Sequence, residues 1–222
     1  LLGLTGIFAY NLFFLGALAM LPASRTSMII ALNPVVTIAL DTWLTRGERL
    51  SARRWFGVGL ALVGVWVVIS RGDVLATAGS PVGLGELLMF GGVCAWAAYT
   101  LIGRRVMSGL SPLAATTWAS LWGTLMLLAV AAFDWHRVDG AAFTAPVIAG
   151  LGYLGILGTA VGFVWYYRAV KVLGAARAVI FNNLVPIFGA TFGVLLLDEP
   201  LLPSLIVGGI IAVAGVMLVT RP

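Results

Sequence analysis

Two prolines stand inside long apolar runs, Pro34 in Ala31-Leu32-Asn33-Pro34 and Pro186 in Leu184-Val185-Pro186. A proline within a helix has no N–H for the carbonyl four residues back, so Ile30 and Asn182 each lose a backbone partner. In a bilayer, open backbone is tolerated only where it faces protein or a water-filled cavity. Each proline is therefore either a packing kink or half of a matched pair of broken helices facing a central site. Amides gather at the same depth: Asn33 directly before Pro34, Asn182 and Asn183 one turn before Pro186. An amide left unpaired in hydrocarbon costs several kcal/mol, so each either bonds a neighbouring helix or meets a solute.

Aromatic and polar residues recur at helical spacing around these breaks. Asn11 shares a face with Phe14, and a later run carries Thr159, Phe163 and Tyr166. Trp96 and Tyr99 lie in a stripe with Gly92 and Gly103, and Trp118 and Trp122 lie beside Thr117, Ser120 and Thr124. Such stripes suit an amphipathic small molecule, and equally suit helix packing. Trp118 is close enough to a helix end to be an interfacial anchor, whereas Trp122 is deeper and the better lining residue. Asp41 is the only acid well inside an apolar run. It is either a proton-coupling group or a local partner of Arg46 or Arg49, or is solvated at its helix end. Glu48 and Glu199 precede short Leu-rich helices, which they cap or whose loops they fix, and Glu86 in a first turn reads the same way. Covalent chemistry lacks its parts: His136 and Cys94 are each the only residue of their type, and no Gly-rich Lys loop for ATP is present. We expect no enzyme, no metal and no cofactor.

The elements that position these residues are membrane spans. The 222 residues are 61% hydrophobic and 9% charged, with a mean hydropathy of +1.09, too few charges for a water-facing surface. Apolar runs at roughly 20 residues per span predict helices over 1–20, 24–45, 51–70, 83–103, 112–133, 146–168, 176–197 and 201–220. The net charge of +5 is spread through the gaps between runs, which speaks for membrane topology and against nucleic acid. Ten of the thirteen basic residues fall in one set of connections and ends; Arg25, Arg71 and Arg137 fall in the alternate set. The positive-inside rule then places the C-terminus in the cytoplasm of a bacterial inner membrane. The expected partners are a small-molecule substrate and membrane lipid. Because Leu1-Leu2-Gly3-Leu4 opens inside a hydrophobic run, the chain is expected to be an N-terminally truncated piece.

Laying residues 2–71 over 154–222 gives an ordered match: Gly3 on Gly155, Gly6 on Gly158, Arg25 on Arg177, Pro34 on Pro186 and, after a one-residue slip, Glu48 on Glu199. Gly57, Ala61 and Gly64 then meet Gly208, Ala212 and Gly215. The paired loops have opposite sidedness, the mark of the inverted repeats found in secondary transporters. The small-residue faces allow close helix contact, within the chain or across a homodimer.

The runs from Asn33-Pro34 to Gly47-Glu48-Arg49-Leu50 and from Pro186 to Asp198-Glu199-Pro200-Leu201 resemble the paired Pro…Glu signature of EamA-type members of the drug/metabolite transporter superfamily. Gly85-Glu86-Leu87-Leu88 with Cys94-Ala95-Trp96-Ala97 and Arg104-Arg105 is similar to the opening helix of that family's second repeat. The resemblance implies an all-α polytopic bundle of ten helices in two inverted five-helix repeats, of which eight are present. Residues 1–71 would be the last three helices of the first repeat and 79–222 the whole second. It also implies a central cavity and the export of amino acids or related metabolites by alternating access, with a drug exporter or lipid flippase on the same fold as the alternative. Asn11, Asn33, Pro34, Trp96, Tyr99, Trp122, Phe163, Tyr166, Asn182, Asn183 and Pro186 are the expected substrate-binding residues.

Overall fold

The structure, a computed structural model, describes residues 1–45, 51–71, 82–134, 136, 140 and 143–220. Helix satisfies its own backbone, and the apolar runs accordingly form a helical membrane bundle. A π-helical segment, Gly3–Ala9, runs into α1 (Tyr10–Leu18). A second rod is α2 (Ala23–Ile30) continued by α3 (Asn33–Thr45), and α4 (Ala52–Ile69) follows. Next come α5 (Leu84–Val106) and α6 (Pro112–Asp134). A long rod joins α7 (Ala145–Tyr153), a π-helical segment Leu154–Val161 and α8 (Gly162–Leu173). Then α9 (Ala175–Ala178), a 3₁₀ segment Val179–Asn183 and α10 (Leu184–Leu197) form a third interrupted rod, and α11 (Pro203–Thr220) closes the described chain. Each of the eight expected spans corresponds to one rod. Five rods are long and apolar enough to cross a membrane; Gly3–Leu18, Leu184–Leu197 and Pro203–Val219 are apolar and shorter.

The interruptions are where the regular pattern gives way. Before Pro34 the chain tightens through three-residue bonds, Ala31 N–H to the Met28 carbonyl (3.2 Å) and Leu32 N–H to the Ile29 carbonyl (3.0 Å). Before Pro186 it tightens into the 3₁₀ segment. The two π segments also correspond, since adding the repeat offset of 152 to 3–9 gives 155–161, within Leu154–Val161. Between α8 and α9 the chain turns at Gly174, whose φ of 84° only glycine adopts readily.

Rods α4 and α11 pack through the two small-residue stripes. A Cβ on Gly57 would lie 2.7 Å from the Gly215 carbonyl oxygen, and a Cβ on Gly208 would lie 2.6 Å from that of Gly64. Gly64 abuts the Ala212 backbone and Gly215 that of Ala61. The stripes therefore serve contact within the chain. Near-backbone approach of this kind replaces the hydrophobic drive that lipid cannot supply.

Rod α5 is the spine. It packs against α1, α2, α3, α8 and the first π segment. Its N-terminal half, with Met89 and Val93, enters a core shared with Ile29, Leu32, Val35, Val65 and Val216. Its other half, with Trp96, Tyr99 and Leu101, enters a second core with Ile7, Ala119, Phe163 and Tyr167. Residues 145–158 are exposed throughout and almost entirely apolar, as lipid contact requires.

The seam makes a direct prediction. Gly64→Leu forces a side chain into the Ala212 backbone and should lower stability in detergent by about 1–3 kcal/mol or more. Gly59→Ala, on the same helix with open space around it, should be neutral or stabilising. Chemical unfolding of the two variants compares them directly.

Candidate functional site

Trp96 stands at the centre of an aromatic cluster drawn from three rods. Its ring centroid lies 5.1 Å from Tyr10, 5.5 Å from Tyr99, 5.1 Å from Phe163 and 5.0 Å from Tyr166. Tyr10 stacks on Phe14 at 5.6 Å and Tyr99 on Tyr167 at 4.6 Å. Glycines make the room: a Cβ on Gly6 would enter the Tyr99 ring, and one on Gly103 the Tyr167 ring. Three hydroxyls are held, whereas the buried Tyr99 hydroxyl and Trp96 Nε1 have no partner among the described residues. Tyr166 and Thr100 share a 2.7 Å bond, the Thr100 hydroxyl donates to the Trp96 carbonyl, and the Tyr167 hydroxyl donates to that of Tyr99. The result is a buried aromatic surface with a few fixed polar atoms, able to receive an apolar body with one or two polar groups.

The break before Pro34 lies on the rod that packs against α5, and the residues around it enter the core shared with Met89 and Val93. Asn33, at 2% exposure, and Thr37, one turn on at 1%, are buried on α3. The Asn33 Oδ1 and Thr37 Oγ1 atoms have no hydrogen-bond partner among the described residues. Pro34 and Pro186 are buried. The 3₁₀ segment carrying half-buried Asn182 packs against α3. The side chain of Asn183 lies outside the described residues, as does Glu48.

The structure thus brings Trp96, Tyr99, Phe163 and Tyr166 together, while Pro186 faces a separate cleft and two further expected residues stand apart. Asn11 spends its amide on its own helix, donating to the Ile7 carbonyl (2.6 Å) at the junction of π and α geometry. Trp122 is 56% exposed and lines a groove with Trp118 and Leu1–Leu4. Tyr10, Thr100 and Tyr167 are additions. Their signal was present as four-residue spacing, Tyr10 to Phe14, Trp96 to Thr100, and Tyr99 to Gly103, where the glycine leaves the slot that Tyr167 fills.

Charges are paired between rods, and here one expectation is corrected. Asp41 bonds across to α5, its carboxylate accepting from both Arg104 nitrogens at 2.6 and 2.9 Å. The fork is bidentate, the strong form of such a pair; Arg46 and Arg49 lie outside the described residues. Glu199 does cap a helix, but not the one it precedes: it accepts from the N–H groups of Ala23 (2.6 Å) and Ser24 (3.0 Å) at the start of α2. Glu86 reaches Arg25 on α2 at 2.6 Å, and the same guanidinium donates to the Ile69 carbonyl of α4.

The EamA-like transporter family model matches residues 1–70 and 83–221. The chain belongs to the EamA-like transporter family. A probable terminal-alkyne amino-acid exporter of Streptantibioticus cattleyicolor is 33% identical over 224 residues, 100% of this chain and 72% of that protein. An uncharacterised Archaeoglobus fulgidus transporter is 30% identical over 98% of this chain and 73% of its own length. The Bacillus subtilis transporter YyaM is 27% identical over 97% of this chain and 70% of its own length. A crystal structure 18% identical aligns with a TM-score of 0.65 over 98% of this chain and 74% of that one, a likeness of fold.

Membership makes the chain a membrane-embedded transporter acting on a small molecule. The aromatic cluster and the ion pairs are then parts of a device that must hold a bundle together in lipid while a solute passes.

The Glu199 cap gives the second prediction. Burial favours the neutral carboxyl and pushes its pKa up, but hydrogen bonds from the Ser24 side chain and the Ser24 and Ala23 backbone outweigh burial and hold it below the usual carboxylate range. A carboxylate so depressed stabilises the folded state fully above its unfolded pKa of about 4.3 and loses that contribution as pH falls through its folded value. Glu199→Gln should therefore lower the melting temperature at pH 7, with the gap to wild type closing as pH falls below about 4. Paired thermal melts across pH report it; a gap that is constant with pH contradicts the cap.

Proposed function

We propose that this transporter exports small amphipathic metabolites, amino acids or related compounds, by alternating access between two inverted repeats, residues 1–71 and 79–222. The observation that carries the reading is the ring cluster around Trp96, assembled from α1 on one side and α5 and α8 on the other, in a bundle with two helices broken at matched positions. A solute reaches Trp96 only when these rods separate, and separation at one end at a time is alternating access. The amino-acid exporter among the relatives supports the substrate class. The charge asymmetry of the loops supports a cytoplasmic C-terminus in a bacterial inner membrane.

Asp41 is the proposed proton-coupling group. Its fork with Arg104 ties α3 to α5, and a proton on the carboxylate removes the charge that holds the two rods together. A second reading, a drug exporter or lipid flippase, draws on one observation: a lateral, apolar cleft of about 550 Å³ lined by Met28, Pro186, Ile187, Leu205 and Ile210.

Inside-out vesicles carrying the transporter should take up one group of a labelled amino-acid and nucleoside panel saturably, in a manner that collapses with the pH gradient. Trp96→Ala should raise the half-saturating concentration about tenfold, the loss expected for an aromatic contact and its packing. Asp41→Asn should leave uptake indifferent to the gradient. Unaltered gradient dependence in Asp41→Asn contradicts the proton role, and uptake confined to apolar drugs or lipid probes shifts the function to the second reading.

A further inference from the structure

Away from the aromatic cluster, at the end of the bundle where α2 and α11 begin and α4 ends, lies a cleft of about 210 Å³. Its walls carry Arg25, Arg71, Ser24, Ser204 and Glu199, an unusual density of polar groups in a chain that is 9% charged. Arg71 follows the last turn of α4 and is exposed. Ser204, in the first turn of α11, is 7% exposed, and its Oγ has no hydrogen-bond partner among the described residues. The same holds for Arg25 Nε, although the Nη2 of that guanidinium serves both Glu86 and the Ile69 carbonyl.

The negative charges nearby are already engaged. Glu199 directs its two oxygens at the Ala23 and Ser24 N–H groups, where the positive end of α2 offsets them. Glu86 is engaged by Arg25. What remains in the cleft walls is a set of donors: the exposed Arg71 guanidinium and, buried without a partner among the described residues, the Arg25 Nε–H and the Ser204 hydroxyl. A buried donor without an acceptor costs free energy that an arriving acceptor recovers. Forked guanidinium donors with a hydroxyl match an oxyanion, above all phosphate.

We propose that this cleft binds a phosphate group, held by Arg71 and Ser204 with Arg25 behind them. It is separate from the aromatic cluster and does not depend on what the transporter carries. The phosphate comes either from a lipid headgroup or from a free solute, and one experiment separates the two.

The purified full chain in phosphatidylcholine nanodiscs is melted by tryptophan fluorescence against inorganic phosphate, with chloride holding ionic strength constant. A saturable rise in melting temperature is expected, with the half-saturating concentration about tenfold higher in Arg71→Ala and in Ser204→Ala. These two residues are chosen because Arg71 is exposed and Ser204 has no partner, so neither change removes a tie between rods. A rise on adding phosphatidylglycerol, lost in the same variants and with no response to free phosphate, assigns the site to a lipid headgroup. No response to either source, or a response that both variants retain, overturns the proposal.

Discussion

In hydrocarbon a charge without a partner is prohibitive, and α5 meets that constraint at both of its ends. Glu86 in its first turn takes Arg25 of α2, and Arg104 in its last turn forks onto Asp41 of α3. The two pairs bind one spine to the two halves of a single interrupted rod, so the whole length of that contact is set from its ends. Everything between is packing that this registration makes possible: Met89 and Val93 against Ile29 and Val35, then Trp96 among its rings. In the proposed mechanism, one pair breaks while the other holds, so that the seam opens at one end.

The second constraint is the close approach of α4 and α11. Gly57 meets Gly215 and Gly64 meets Gly208 and Ala212, an antiparallel contact in which each stripe reads the other in reverse. Because lipid gives no drive to bury apolar side chains, small residues and close backbones do this work. The α4–α11 pair is regular α-helix, whereas π and 3₁₀ turns interrupt the rods elsewhere in the bundle.

Much of the fold was legible because bilayer thickness and backbone bonding leave few choices. Runs of about 20 apolar residues had to be helices, and Gly-Ala-Gly stripes at four- and three-residue spacing announced a close helix contact, within the chain or across a homodimer, which the structure resolves as within the chain. The breaks at Pro34 and Pro186 were legible for the same reason, since proline removes a specific bond. The π segments were not, because Gly3 and Gly6 permit that geometry without requiring it; the Tyr99 ring pressed on Gly6 is a tertiary fact. Partners of charges were the least legible. Asp41 found Arg104, 63 residues away, and Glu199 capped a helix 176 residues back; periodicity along one helix carries no information about which rod lies opposite. At the site, the rings at helical spacing converged, whereas Asn11 was claimed by its own backbone and Trp122 by the outer face.

The central claim is that the seam between the rod 23–45 and α5 moves during transport. Leu44 and Ile102 flank the Asp41–Arg104 pair. Cysteines at these two positions, with Cys94→Ser, allow that end to be locked by oxidation and released by reductant in vesicles. The account predicts that locking abolishes saturable uptake and that reduction restores it. Full transport by the cross-linked protein would contradict it.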